Sequence, residues 1–270
     1  MIILEFKGGI GNQLFQFAHG LQVAHRLGMD VCAIVRFDRI RQGTRPFSSF
    51  FRPLRSIVSL PFPVHHMSQK GWTAAANRGE DTALAKLAMA KGGKEIHIFL
   101  DGYYQSSKFF ANVIPQLVAH LRPHFTCLLD ACPIKIPPAS LSIHIRRGDY
   151  LRYPRHHPFA GIDYYRKALN ALDGFDRVFV FSDDLKWCRG QTWLKNLPDT
   201  TFVDASGETC LALMSCCDFH VIANSTFSWW GAFLAQQRNP NTRVVAPKQW
   251  FGPAIGHNTC DMYEPSWILI

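Results

Sequence analysis

The chain has 270 residues, enough for one large domain or two of ordinary size. Hydrophobic residues make up 47% and charged ones 18%, a globular balance that excludes a disordered chain. The formal net charge of +9 favours an anionic partner, whether a phosphorylated substrate, nucleic acid or an anionic membrane surface, without choosing among them. No apolar run reaches the roughly eighteen residues of a membrane span. The N-terminus, Met1 to Lys7, meets charge too early for a secretory signal and reads as a strand. The eight cysteines contain no C-x-x-C spacing and read as reduced thiols, which places the chain in the cytosol.

In chain order, Ile2 to Phe6 is strand-like and Gly8-Gly9-Ile10-Gly11-Asn12-Gln13 is a turn. Leu14, Phe17, Ala18, Leu21, Ala24 and Leu27 recur at helical spacing, and Gly28 supplies a stop. Asp30 to Arg36 reads as a second strand, completing the β-turn-α-β start of an open parallel sheet. From Arg36 to Arg55 arginines alternate with Phe37, Phe47, Phe50 and Phe51, which reads either as an acceptor-facing region or as a solvated connection. The alanine-rich run Thr73 to Ala90 is expected to be helical, and Ile96 to Leu100 to be a strand.

Pro133, Pro137 and Pro138 fit a linker, which divides the chain into two domains, 1–135 and 136–270. Beyond them, strand-like runs at Leu141 to Ile145, Arg177 to Phe181, Thr201 to Val203, Phe219 to Ala223 and Arg243 to Ala246 alternate with helical segments. The helices are expected near Tyr164 to Leu172, Asp184 to Leu194, Thr209 to Cys216 and Ser228 to Gln236. Two successive α/β units predict a ligand cleft between domains.

Three motifs follow strands. Ser142-Ile143-His144-Ile145-Arg146-Arg147-Gly148-Asp149-Tyr150 is the most informative. Strands of this kind deliver their C-terminal ends to a ligand crevice, and two forked guanidinium groups there suit a diphosphate. The plainer reading is an Arg-Asp surface cluster. Val178 to Asp184 ends in Asp183 and Asp184, which fit hydrogen bonds to a guanine edge or ribose, a metal, or a helix cap. Asn224-Ser225-Thr226-Phe227-Ser228-Trp229-Trp230-Gly231-Ala232 brings small polar side chains to a helix start, where they cap the helix and offer N–H groups to a phosphate. The tryptophans read as packing before stacking. The Gly8 to Gln13 turn is no Walker A loop, and as a dinucleotide fingerprint it lacks the third glycine, Leu14 standing there.

Taken together these strings, with Gly102-Tyr103-Tyr104-Gln105-Ser106, closely resemble the bacterial α-1,2-fucosyltransferases of glycosyltransferase family 11. The resemblance implies an α/β fold of two Rossmann-like domains of GT-B type. It implies GDP-β-L-fucose as donor and inverting transfer to O2 of a terminal galactose on a glycan or glycolipid, with no cofactor and no obligatory metal. It assigns Arg146 to the β-phosphate and brings Gly9, Gly11 and Asn12 to the donor and acceptor. The remaining expected donor-binding residues are Gln13, His144, Arg147, Asp183, Asp184, Asn224, Ser225, Thr226 and Ser228. The base is open. Asp149 is the first candidate, with Asp101, His19 and His156 as alternatives, and Asp149 reads equally as an arginine partner. No nucleic-acid partner is expected, and peripheral membrane contact is left open. The rival readings are a nicotinamide-dependent oxidoreductase, a non-catalytic glycan- or nucleic-acid-binding protein, and a fucosyltransferase of different linkage.

Overall fold

A computed structural model describes residues 1–34, 55–57, 64–68 and 97–270. The expected helix Thr73 to Ala90 and most of the arginine-rich stretch after Arg36 lie outside them. The chain forms two compact units, Met1–Arg122 with Asn258–Met262, and Pro123–His257 with Tyr263–Ile270.

In the first unit, β1 (Ile2–Glu5) leads through the glycine turn into α1 (Ile10–Leu27). Leu14, Phe15, Phe17 and Ala18 are wholly buried, which supplies the helix's tertiary stabilisation. Gly28 closes it in the left-handed conformation, its N–H bonded to the Ala24 carbonyl. With β2 (Val31–Ile34), β3 (Arg55–Ile57), β4 (Val64–Ser68) and β5 (His97–Asp101), β1 forms a sheet ordered β3-β2-β1-β5-β4. Every pairing is parallel. The order reverses between β1 and β5.

The next helix, α2 (Ile114–Ala131), was not expected from the sequence. Pro123 lies inside it, a residue that removes one helix hydrogen bond. The buried residues Leu117, Leu121 and Phe125 recur every fourth position and outweigh that loss. The units divide at Pro123, earlier than the 135/136 boundary. The physical reason is packing, since Leu129 and Cys132 join the second unit's core beside Phe179 and Phe181.

The second unit contains β6 (Ser140–Ile145), α3 (Ile162–Asn170), β7 (Arg177–Ser182), α4 (Leu185–Gly190), α5 (Thr192–Lys195), β8 (Thr200–Phe202), α6 (Gly207–Met214), β9 (Phe219–Val221), α7 (Thr226–Arg238), β10 (Arg243–Ala246) and β11 (Ile268–Leu269). The sheet order is β11-β10-β9-β6-β7-β8, parallel throughout. Counted from β6 this is 3-2-1-4-5-6, the doubly wound order, with its switch point between β6 and β9. Both faces of β7 are covered. Val178 and Val180 pack toward Tyr164 and Tyr165 of α3, while Phe179 and Phe181 pack toward Leu213 and Met214 of α6. Trp229 and Trp230 are fully buried in α7, so they serve packing. No helix among the described residues is long and apolar enough to cross a membrane.

Candidate active site

The chain leaves β6 as Arg146-Arg147-Gly148-Asp149-Tyr150, and the two arginines take different tasks. Arg146 Nη2 donates to Asp149 Oδ1 at 2.7 Å, and its Nη1 lies 3.2 Å from Asp183 Oδ2. Its side chain keeps 17% exposure. Arg147, 15% exposed, takes other partners. Its Nε donates to Asp184 Oδ2 at 3.2 Å, and its guanidinium lies 4.0 Å from the centre of the Trp187 ring and 5.3 Å from that of Phe159. Such stacking fixes a guanidinium that has left solvent.

The acids after β7 brace this corner. Asp183 accepts from the Arg147 backbone N–H through Oδ1 at 2.9 Å, leaving Oδ2 for Arg146. A Cβ at Gly148 would stand 2.5 Å from that Oδ2, so the carboxylate needs the glycine beside it. Asp184 caps α4, its Oδ1 accepting from Trp187 N at 3.1 Å. Both acids are therefore occupied by arginine and backbone donors, and the capping expectation holds for Asp184. Each of these oxygens has one donor and a second lone pair, so both acids keep acceptor capacity.

Tyr150 links the two strand ends at the switch point, a role the sequence reading missed. Its hydroxyl donates to the Asn224 carbonyl at 2.7 Å, and Arg146 lies 5.5 Å from its ring centre. The signal was present, an aromatic directly after the charged run. Burial pushes its hydroxyl well above the ordinary range, so it stays a neutral donor. Beyond Asn224, Ser225 caps α7, its hydroxyl accepting from Phe227 N at 3.4 Å. The thirteen-residue helix α7 thus begins at the switch point, where an anion is favoured.

Several expected ligand residues also have partners within the protein. Asn224 is buried, and its Nδ2 donates to the Pro158 and Trp250 carbonyls, each at 3.0 Å. Ser228 is buried and donates to the Ala223 and Ser225 carbonyls. His144 lies on the strand, its ring 5.4 Å from that of Phe227. Burial, then the nearby Arg146, lower its pKa from the ordinary 6.5 to about 3, so it is neutral at physiological pH. Thr226 opens α7 and is half-buried.

In the first unit, Gly9 is the residue before α1 and Gly11 is buried within it. Gln13 is buried and donates to the Gly8 carbonyl at 3.2 Å, so it shapes the turn. Asn12 Oδ1 accepts from Gln105 Nε2 at 2.8 Å. Among the alternative bases, Asp101 is paired with Lys7. His19 is buried against Tyr104, with ring centres 4.0 Å apart, and its Nδ1 meets the Phe109 carbonyl at 3.2 Å. His156 is exposed and lies seven positions beyond Asp149, in the next turn.

Two parallel α/β units, each with a polar loop after its first strand, have the architecture of the GT-B fold. The fold is shared with the fucosyltransferase NodZ from Bradyrhizobium, at TM-score 0.50 and 15% identity over 86% of this chain and 93% of that one. It is also shared with POFUT1 in complex with GDP, at TM-score 0.50 and 14% identity over 88% and 96%. The family model for glycosyl transferase family 11 matches residues 78–270, and the chain belongs to that family. Among curated relatives, an α-1,2-colitosyltransferase of Escherichia coli is 27% identical over 100% of this chain and 99% of its own length. The O-antigen biosynthesis glycosyltransferase WbnK of Escherichia coli is 39% identical, but over only 47% of this chain and 43% of its own length. The mouse galactoside 2-α-L-fucosyltransferase Sec1 is 28% identical over 99% and 76%. Family membership removes the oxidoreductase and the non-catalytic binding protein. Leu14, wholly buried where a dinucleotide loop would need its third glycine, agrees with this.

Proposed function

We propose that this enzyme transfers L-fucose from GDP-β-L-fucose, with inversion, to O2 of a terminal galactose on a glycan or glycolipid. The observation that carries the reading is Arg146, held at the switch point of the second sheet by Asp149 and Asp183. As the glycosidic bond breaks, charge gathers on the departing β-phosphate. A guanidinium already fixed in place stabilises that charge without reorganising. The N-terminus of α7, with Ser225 and Thr226, adds backbone donors. Gly9, Gly11 and Asn12 supply the approach of the first unit's glycine turn.

Asp149 is the proposed base. Its side chain is 47% exposed, against 22% for Asp183. Asp149 meets Arg146 through Oδ1, which leaves Oδ2 to take the acceptor proton while Arg146 keeps its place. Asp183 and Asp184 act by bracing the arginines, and Arg147 by anchoring the turn.

A second donor is favoured by the full-length match to a colitosyltransferase. Colitose lacks the 3-hydroxyl of fucose, so the two donors differ by one hydroxyl. The test is turnover of GDP-fucose, GDP-colitose and a UDP-sugar with galactose-terminated acceptors, followed by linkage and anomer analysis by NMR. An α-1,2-linked fucosyl product is expected. A product at another hydroxyl, or stronger turnover of the UDP-sugar, overturns the proposal.

A further inference from the structure

The Gly102-Tyr103-Tyr104-Gln105-Ser106 string follows β5, at the switch point of the first sheet, and the mechanism above leaves it unused. Its backbone is strained. Tyr104 has φ 51°, a left-handed conformation costly for an aromatic residue. Packing enforces it. The Tyr104 ring is buried, stacked on His19 and set edge-on to Phe109 at 5.5 Å. The Ser106 N–H donates to the Tyr104 carbonyl at 2.8 Å and closes the turn.

The strained turn sets the next residue, Gln105, against the first turn of α1. Gln105 is 5% exposed, and its Nε2 donates to Asn12 Oδ1. Its Oε1 is buried and has no hydrogen-bond partner among the described residues. A buried acceptor without a donor is destabilising, and an apolar residue would avoid that cost. Among the described residues the Gln105 side chain makes one hydrogen bond, to Asn12. On the other side, Gly8 has φ +73°, and a Cβ there would collide with Asn12 Nδ2. The Asn12 amide is thus oriented from two sides, with its oxygen toward Gln105 and its nitrogen across the bare Gly8.

We infer that Gln105 is a positioning residue, which acts through Asn12 by holding that amide's N–H₂ group at the glycine turn as a donor to a phosphate oxygen of the nucleotide sugar. The inference rests on the proposed donor, and it assigns to the Gly102–Ser106 string the task of orienting Asn12. It explains why a buried amide with one unmet acceptor and a left-handed tyrosine stand together where the chain leaves β5.

The test is a double-mutant cycle with Gln105→Met, Asn12→Ala and the pair, read by calorimetric affinity for GDP and GMP, turnover and melting temperature. Methionine keeps the volume and removes the bond. GDP affinity and kcat are expected to fall by about tenfold in each variant, with GMP affinity unchanged. The pair is expected to be no worse than Asn12→Ala alone, because residues acting through one another are not additive. Gln105→Glu is expected to regain activity on acidification toward pH 5, as a protonated carboxyl again donates to Asn12. Additive losses overturn the inference. So does a lowered melting temperature with full turnover and GDP affinity. Absence of GDP-fucose turnover in the parent enzyme would sink the functional proposal alone, since the cycle is also read in GDP affinity.

Discussion

The two units place polar loops at the same topological position and build them from opposite chemistry. After β6 the loop relies on charge, two arginines braced by three carboxylates. After β1 it relies on glycines, a helix N-terminus and neutral amides joined by Gln105 and Asn12. A charged loop needs countercharges to survive without its ligand, because an unpaired, half-buried guanidinium is costly. An amide loop needs only orientation. The first arrangement suits stabilising a leaving group, and the second suits close approach of backbone to substrate.

The comparison breaks most directly at Arg146. Arg146→Lys keeps the charge but loses the fork, and kcat is expected to fall about a hundred- to a thousand-fold with an unchanged melting temperature. Activity within a few-fold of the parent would remove Arg146 from the reaction. Asp149→Asn is expected to lower turnover about a hundredfold while GDP affinity stays near the parent's, because the amide cannot accept the proton. A parallel fall in GDP affinity would assign Asp149 to orienting Arg146 instead.

Matched glycine substitutions sharpen the contrast. Gly148→Ala displaces the Asp183 carboxylate, a movable side-chain end, and is expected to reduce turnover about tenfold through misplacement of Arg146. Gly8→Ala combines a crowded Cβ with positive φ, and is expected to cost about 1–2 kcal/mol of stability in denaturant unfolding. Should Gly148→Ala prove the less stable and Gly8→Ala the less active, the assigned roles exchange.

The smallest effect concerns pH. His144 is lowered to about 3 and His220 to about 4, both chiefly by burial. A histidine depressed in the native state binds its proton first in the unfolded chain. The stability it contributes is complete above the ordinary 6.5 and is lost as pH falls toward 4 and then 3. His144→Gln is expected to flatten the fall in melting temperature between pH 6.5 and pH 4, and an unchanged slope would refute the assignment. Both histidines lie on buried strands of the second unit, β6 and β9.

Much of the second unit was legible from residue pattern. Arg243 to Ala246 was bounded to the residue, and β6, β7 and β8 to within one or two. Continuous apolar runs mark strands buried on both faces. α2 was not legible, since Pro115 and Pro123 mask a buried face that only tertiary packing explains. Asp184 to Leu194 reads as one helix but is two, broken at Gln191 in extended backbone. Within the site, Arg146 and Asp149 were legible as charged residues that a strand end cannot bury. The duties of Asn224 and Ser228 were not, because their hydrogen bonds go to carbonyls and no side-chain type announces that.

By itself the sequence determined the parallel α/β class, the positions of the polar loops after β1, β6, β7 and β9, and the family whose motifs those loops carry. It did so because hydrophobic period and turn residues act locally. Only the tertiary structure decided which arginine pairs with Asp149 and Asp183 and which stacks on Trp187, which acid braces and which caps, and that Gln105 meets Asn12 across ninety-three positions. Those choices depend on strand order and on partners distant in the chain. An ionised or amide side chain takes its role from whichever donor or acceptor the fold brings within about 3 Å.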